Sequence, residues 1–217
     1  MKYICIDLET TGLDHKNCQI IEFAAVLRDT KNPIKPEESP SFHCYVKHDV
    51  YQGEPYALQL NQRIFQELAK DPGKADAPVY TLSETYLKFY DFLLANGYKA
   101  SKNTKRIHFV AAGKNFGNFD LNFLRKDPLW DEKFLVSSRI LDPAMLWILE
   151  SDNRVPGLGK CMERAGISGV VTHHALNDVY DTILTLEAGL RRLWDFQKEL
   201  LDKDTEPEDE GLRNHLG

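Results

Sequence analysis

Asp7-Leu8-Glu9 closes the apolar run Lys2–Leu8 and sets two carboxylates two residues apart. On an extended strand, side chains at i and i+2 point to the same face, so both acids converge. Acids gathered at the end of a buried strand are costly unless a cation or a donor answers them. Asp120 ends Gly113-Lys114-Asn115-Phe116-Gly117-Asn118-Phe119-Asp120, which follows the apolar run Ile107–Ala112 and opens an expected helix. Asp178 ends His173-His174-Ala175-Leu176-Asn177-Asp178, at the start of a long amphipathic stretch. Each feature alone has an ordinary explanation: hydrated strand-end acids, an acid complementing a helix N-terminus, exposed histidines at a helix start. Together, the acids Asp7, Glu9, Asp120 and Asp178 with one histidine make a set suited to metal-assisted hydrolysis. Hard divalent cations take oxygen ligands, and two of them can activate a water and steady a leaving oxygen. A histidine with a pKa of about 6.5 can take a proton near neutrality.

Positioning these groups calls for a sheet with helices on it. Lys2–Leu8 and Gln19–Leu27 read as two strands joined by Thr10-Thr11-Gly12-Leu13-Asp14, and Ser41–Val46 as a third. Lys31–Pro40, with its prolines and charges, reads as a surface loop. Pro55–Asp71 spaces Leu58, Ile64, Phe65 and Leu68 as one helix. Thr81-Leu82-Ser83-Glu84 matches a capping box, and Leu82, Tyr86, Phe89, Tyr90 and Leu93 continue from it to the stop at Asn96-Gly97. Ile107–Ala112 predicts a buried strand, a short helix follows from about Asn118, and Ser138–Leu141 predicts a fifth strand. Asp142-Pro143 begins a helix through Ile148, Gly157–Ala165 a short one, and about His174 to Leu201 one long amphipathic helix. Early strands followed by alternating strands and helices predict an α/β fold with a mixed sheet.

The three motifs, in this order and context, resemble the DEDDh group of 3′–5′ exonucleases of the ribonuclease H-like superfamily, which includes polymerase proofreading domains and ribonuclease T. The resemblance spans roughly residues 3–190. Asp7-Leu8-Glu9-Thr10-Thr11-Gly12-Leu13 is close to the group's usual first motif. Asn115-Phe116-Gly117-Asn118-Phe119-Asp120 looks more like the second motif of family B polymerase exonuclease domains, which carry a tyrosine at the third motif; here both His173 and His174 keep the histidine class. The resemblance implies a ribonuclease H-like, mixed five-stranded sheet with helices on both faces. It further implies two Mg²⁺ or Mn²⁺ ions on Asp7, Glu9, Asp120 and Asp178, with His173 as general base. Spacing favours His173 over His174 without removing the latter. Thr10, Thr11 and the backbone around Leu8 would hold the terminal nucleotide, and Leu13 would wedge against its base. Tyr56 and Asn61 are further candidates for base contacts, because the helix that carries them would border the cleft; a buried Tyr and a surface Asn are the plainer alternative. Glu22 and Asp142 also fall where the family carries acids, and take structural roles in the second strand and as a helix N-cap.

The expected activity is removal of nucleotides from the 3′ end of single-stranded DNA, with release of nucleoside 5′-monophosphates. An RNA trimmer of the oligoribonuclease or ribonuclease T kind is the alternative. A non-catalytic nucleic-acid-binding domain fits poorly, since all five catalytic positions are filled. The net charge of −6 over 217 residues is concentrated in Asp202–Glu210, where six acids face one lysine. The remaining body is close to neutral, and cations on its acids would leave it mildly positive, enough to hold a short single strand. Residues 1–201 are therefore read as the exonuclease domain and 202–217 as an acidic tail without folded structure. Cys5, Cys18, Cys44 and Cys161 show no metal-ligand spacing, which with the absence of an apolar span points to a cytoplasmic protein. A homodimer or an association with a polymerase is compatible with the sequence.

Overall fold

The first strand divides its side chains between two layers. In the computed structural model, which describes residues 1–204, β1 (Lys2–Thr10) sends Ile4, Ile6 and Leu8 into one core and Tyr3 and Cys5 into another. It pairs antiparallel with β2 (Ile20–Asp29), and β2 pairs antiparallel with β3 (Ser41–Val46). Two short helices, α1 (Pro55–Leu60) and α2 (Gln62–Leu68), lead to β4 (Val79–Tyr80), which joins β3 in parallel. After α3 (Leu82–Ala95) come β5 (Ile107–Phe109) and β6 (Ala111–Ala112); β6 runs parallel to β1 on its other side. Next are α4 (Asp120–Leu124), α5 (Pro128–Lys133) and β7 (Phe134–Val136), the last paired with β5. The chain then forms α6 (Ala144–Trp147), α7 (Leu158–Ala165) and the long α8 (Ala175–Asp204). The main sheet has five strands in the order β4-β3-β2-β1-β6, the mixed sheet that the sequence predicts.

Helices cover both faces. On one, Tyr86, Phe89 and Leu93 of α3 and Trp130 of α5 pack against Ile4, Ile6, Phe23 and Ala25. Each fully buried large side chain there contributes roughly 1.5–3 kcal/mol relative to exposure. The capping box at Thr81 and Glu84 forms in both directions, which fixes where α3 begins. On the other face, α8 lays Ala175, Val179, Ile183 and Leu186 on Tyr3, Cys5, Ala24 and Val26. Glu187 anchors it, accepting from Tyr3 Oη and from Nε and Nη2 of Arg28, each at 2.9 Å.

Several elements differ from expectation. The single helix over Pro55–Asp71 is broken at Asn61, whose side chain turns inward to donate to the Thr10 carbonyl at 3.0 Å. The strand over Ile107–Ala112 is split at Val110: Phe109 pairs with Val136 of β7, whereas the Val110 carbonyl accepts from Ile4 N–H and Ala111 pairs with Ile4 of β1. Ser138–Leu141 is not a strand: Ser137 Oγ accepts from Arg139 N–H in a polar turn, and pairing survives only as the Ala112–Leu141 bridge. Regular pairing lies upstream instead, in β7. Strands β4 and β7 and helix α5 were not anticipated, being only two to six residues long. Helix α8 continues through residues 202–204, correcting the assignment of those three to an unfolded tail. The strong helix formers Gln197-Lys198-Glu199-Leu200-Leu201 carry it there; the rest of the tail lies outside the described residues.

Candidate active site

Asp7 and Glu9 continue the Tyr3–Cys5 side of β1 past the point where α8 begins, so the same periodicity that buries Tyr3 under α8 delivers two acids to its N-terminus. Beyond Glu9 the β1–β2 register slips, with Glu9 opposite Glu22 but Thr10 opposite Ile20, and the strand end turns into the cleft. From the other side, β6 aligns Ala112 with Cys5, and the turn after it carries Asp120 back toward β1. Gly113 is required there, because a Cβ would meet the Ile6 carbonyl oxygen at 2.7 Å. Asp120 then caps its own approach: Oδ1 accepts from Leu8 N–H at 3.2 Å. Asp178 stands in the first turn of α8, which begins at Ala175. Its Oδ1 accepts from Thr172 N–H at 3.2 Å, closing the loop before the helix.

This loop sends the two adjacent histidines to different places. His173 has φ 53°, a left-handed backbone that a side chain seldom adopts. It is exposed, and one of its ring nitrogens lies within 4.8 Å of carboxylate oxygens of Glu9 and Asp178. His174 points the other way, into a buried cluster with Glu22 and His43.

Electrostatics mark the cleft as short of positive charge. Burial raises Asp7 well above the usual carboxylate range, reinforced by Asp120, Glu9 and Asp178. Burial, then Asp178 and Glu22, push Glu9 up to about 8 against an opposing hydrogen bond from Asn61. Burial takes Asp120 to about 8, although backbone donors including Leu8 N–H pull it down. Asp178 is raised by burial, opposed by Thr172 N–H and His173. Among the residues lining the cleft of about 410 Å³, Lys114 is the only lysine or arginine, and its Nζ lies 3.7 Å from Asp142. Carboxylates gathered this closely with so little to neutralise them fit a hard divalent cation.

Leu8, Thr10, Leu13, Tyr56 and Asn61 all line that cleft. Leu13 and Tyr56 are each 76% exposed on its rim, whereas Asn61 is buried, so the plainer alternative for that pair is reversed at both positions. Thr11 does not line the cleft: it is fully buried, and its hydroxyl donates to Gln52 O and accepts from Gln19 N–H. Thr10 Oγ1 donates to the Gly12 carbonyl at 2.7 Å. Glu54, Lys114, Phe119, Leu158 and Val171 also line the cleft and were not singled out from sequence. For Lys114 a signal existed, as the lone cation inside the second motif. For Leu158 and Val171 none did, because helix α7 and the loop after it reach the site only through the tertiary fold. The N-cap of α6 is Pro143 and not Asp142, which lies one residue earlier; Asp142 Oδ1 still accepts from Ala144 N–H at 2.9 Å, and its Oδ2 accepts from Asn115 N–H, tying the second-motif turn to α6. All four cysteines are free and buried. No helix among the described residues is long and apolar enough to cross a membrane.

The family model described as exonuclease matches residues 4–186, and no curated protein matches the chain. Among solved structures, E. coli exonuclease I in complex with a dT13 oligonucleotide is 20% identical with a TM-score of 0.56, covering 93% of this chain and 45% of that one. Its zinc-ion-bound form with single-stranded DNA is also 20% identical, with a TM-score of 0.59 and 43% of that chain covered. This chain therefore spans less than half the length of those exonuclease I chains. The nuclease domain of 3′hExo, a DEDDh family member bound to rAMP, is 16% identical with a TM-score of 0.56, covering 89% of this chain and 92% of that one. These likenesses support the same fold.

Proposed function

The chain belongs to the exonuclease family, and on that premise we propose that it removes nucleotides one at a time from the 3′ end of single-stranded DNA. The observation that carries this reading is the convergence of Asp7, Glu9, Asp178 and His173 in one open cleft with Lys114 as its only lysine or arginine, while Asp120 does not line the cleft but lies buried behind it, beside Asp7 and accepting from Leu8 N–H. Those four acids would hold two divalent cations, Mg²⁺ or Mn²⁺. Bound there, the cations supply Lewis acidity at the scissile phosphate and charge to answer the departing oxygen.

The chain's own residues do the rest. His173, on an exposed turn beside Glu9 and Asp178, takes a proton from the water that attacks phosphorus. The bond from phosphorus to the 3′ oxygen of the preceding nucleotide breaks. That oxygen leaves on the shortened strand and takes a proton from solvent water to become its 3′ hydroxyl, and a nucleoside 5′-monophosphate is released. Leu13 and Tyr56 offer exposed apolar surface on the rim against which the terminal bases can lie. Asn61, held by the Thr10 carbonyl, fixes the strand end that carries Glu9 and Thr10. Thr11, with its hydroxyl and both backbone groups committed, serves the loop's shape.

DNA is favoured by the likeness to exonuclease I in complex with a DNA oligonucleotide. RNA is the second reading, favoured by the 3′hExo nuclease domain bound to rAMP, whose length this chain matches almost in full. Incubating 5′-labelled single-stranded DNA and RNA of equal sequence with Mg²⁺ or Mn²⁺ tests both. A ladder shortening from the 3′ end on DNA is expected. A ladder on RNA alone would transfer the proposal to the alternative, and no cleavage of either strand with either ion would overturn it.

A further inference from the structure

Next to the cleft, on the same face of the sheet, lies a second cluster of charged groups that the proposed chemistry does not use. Glu22 stands opposite Glu9 on β2, and His43 and Tyr45 on β3 share its face through the Ala24–His43 and Glu22–Tyr45 pairs. The Glu22 side chain is fully buried, yet it is surrounded by donors. His43 Nε2 lies 2.7 Å from its Oε1, and Arg63 Nη2 donates to Oε1 at 3.2 Å and Oε2 at 3.0 Å. Ala175 N–H, at the first residue of α8 and 153 positions away in sequence, donates to Oε2 at 3.2 Å. His174 Nδ1 is buried 3.2 Å from Oε1 without a hydrogen bond to it, its ring 5.3 Å from that of His43.

Two imidazoles and a carboxylate within reach of one another could be read as metal ligands. Arg63 argues against that, because its guanidinium already holds both oxygens and supplies the charge that a cation would bring. The cluster is a clamp. It ties three elements to one buried carboxylate: β3 through His43, α2 through Arg63, and the N-terminus of α8 through Ala175. The residue two positions before Ala175 is His173, in the left-handed conformation that turns its ring toward Glu9 and Asp178. That conformation is strained for a residue with a side chain and persists only where its surroundings hold it.

We propose that Glu22 is a positioning residue for catalysis, which, with Arg63 and His43, locks the start of α8 so that His174 is drawn into the clamp and His173 is held in the cleft. The proposal rests on His173 being the general base. The second histidine of the pair then has a role of its own, since by filling the clamp it prevents the two from exchanging places.

The test is a double-mutant cycle on the full chain with a labelled single strand and Mn²⁺, at a temperature well below the unfolding midpoint of every variant. Glu22→Gln should lower kcat about tenfold or more with KM changed less than about twofold, since the strand-binding rim is untouched. In a His173→Ala background the same substitution should lower kcat by less than about twofold, because nothing is left to position. A merely structural role for Glu22 would give losses that multiply in full, and that result, or an unchanged kcat for Glu22→Gln, overturns the proposal. Should Glu22→Gln not fold, Arg63→Met enters the same cycle with the same expectations. A wild-type kcat for His173→Ala alone would instead overturn the base assignment, and the proposal with it; losses that multiply in full on an impaired but measurable His173→Ala overturn the clamp only.

Discussion

Glu9 and Glu22 are the same residue type, directly opposite each other on adjacent strands and on the same face of the sheet, yet the fold gives them opposite surroundings. Around Glu9 are acids: Asp178, Glu22 and Asp120 add to burial and push it up to about 8. Around Glu22 are donors. Burial works to raise it, but the hydrogen bond from His43 and the charges of His174 and Arg63 outweigh burial and hold it below its ordinary value. His174 itself is lowered by burial, then by Arg63 and His43, against Glu22. One carboxylate is left unanswered by the protein and the other is answered completely. The first condition describes a site built for an exogenous cation, the second an internal strut.

The largest expected effect comes from breaking the unanswered side. Asp7→Ala or Asp120→Ala should reduce turnover below a few percent of wild type while the fold survives, as judged by circular dichroism and single-turnover cleavage of a labelled strand. More activity than that in either variant would remove these acids from the cation site. Next in size is the histidine. General-base assistance is worth about 10²- to 10⁴-fold, so His173→Ala should lose at least about 100-fold, with metal affinity nearly unchanged and the acidic limb of the pH–rate profile altered. His174→Ala should lose about tenfold or less. The reverse order would mean that the ring facing the clamp in this structure reaches the cleft during turnover.

How much of this comparison is visible in the sequence depends on the range of the contacts. The acids Asp7, Glu9, Asp120 and Asp178 are legible because each sits at the end of an element whose pattern is local: an apolar strand, a turn after a strand, a helix start. The helix α3 is legible for the same reason, its capping box and apolar stripe lying within residues 81–97. Glu22 reads only as a structural acid, because its partners His43, Arg63 and Ala175 come from three other elements with no shared spacing. Asn61 reads as a helix-surface residue because the hydrogen bond that breaks the helix goes to Thr10, 51 positions away. The strand over Ser138–Leu141 fails by competition, since Ser137 and Arg139 satisfy each other in a turn and the pairing falls to Phe134–Val136.

The pH dependence of stability sharpens the contrast without any substitution. Asp7, Glu9, Asp120 and Asp178 all have raised values, so the folded chain holds more protons than the unfolded one above the ordinary carboxylate range of about 4. Stability contributed by these groups is present below that range and lost as pH rises toward about 8. Cation-free protein should therefore melt lower at pH 8 than at pH 5.5, and Mg²⁺ or Mn²⁺ should recover more of the melting temperature at pH 8. A flat profile with no recovery by either ion would show that the four acids are neutralised from within.

The smallest effect is also the most direct comparison: the same Glu→Gln change made on each member of the pair, read as the melting temperature of cation-free protein at pH 8. Glu9→Gln removes a charge that burial and the charges of Asp178 and Glu22 disfavour. It keeps the shape of the side chain, so the melting temperature should rise by about 2–4 °C for each kcal/mol of repulsion relieved. Glu22→Gln removes a charge that Arg63 and His43 favour. An amide offers one acceptor oxygen where the carboxylate offers two, so Ala175 N–H or the guanidinium loses its partner. Hydrogen bonds to charged groups contribute about 1.5–3 kcal/mol net, so this variant should melt several degrees lower. Its sign with pH is also opposite. The depressed value of Glu22 means that its contribution is present above its unfolded value of about 4.3 and fades only as pH falls below that. The Glu22→Gln deficit should therefore shrink in acid, whereas the Glu9→Gln gain should shrink as pH falls from 8 toward 5. Two shifts of the same sign at pH 8 would mean that the neighbours share one electrostatic environment, and the distinction between cation site and strut would collapse.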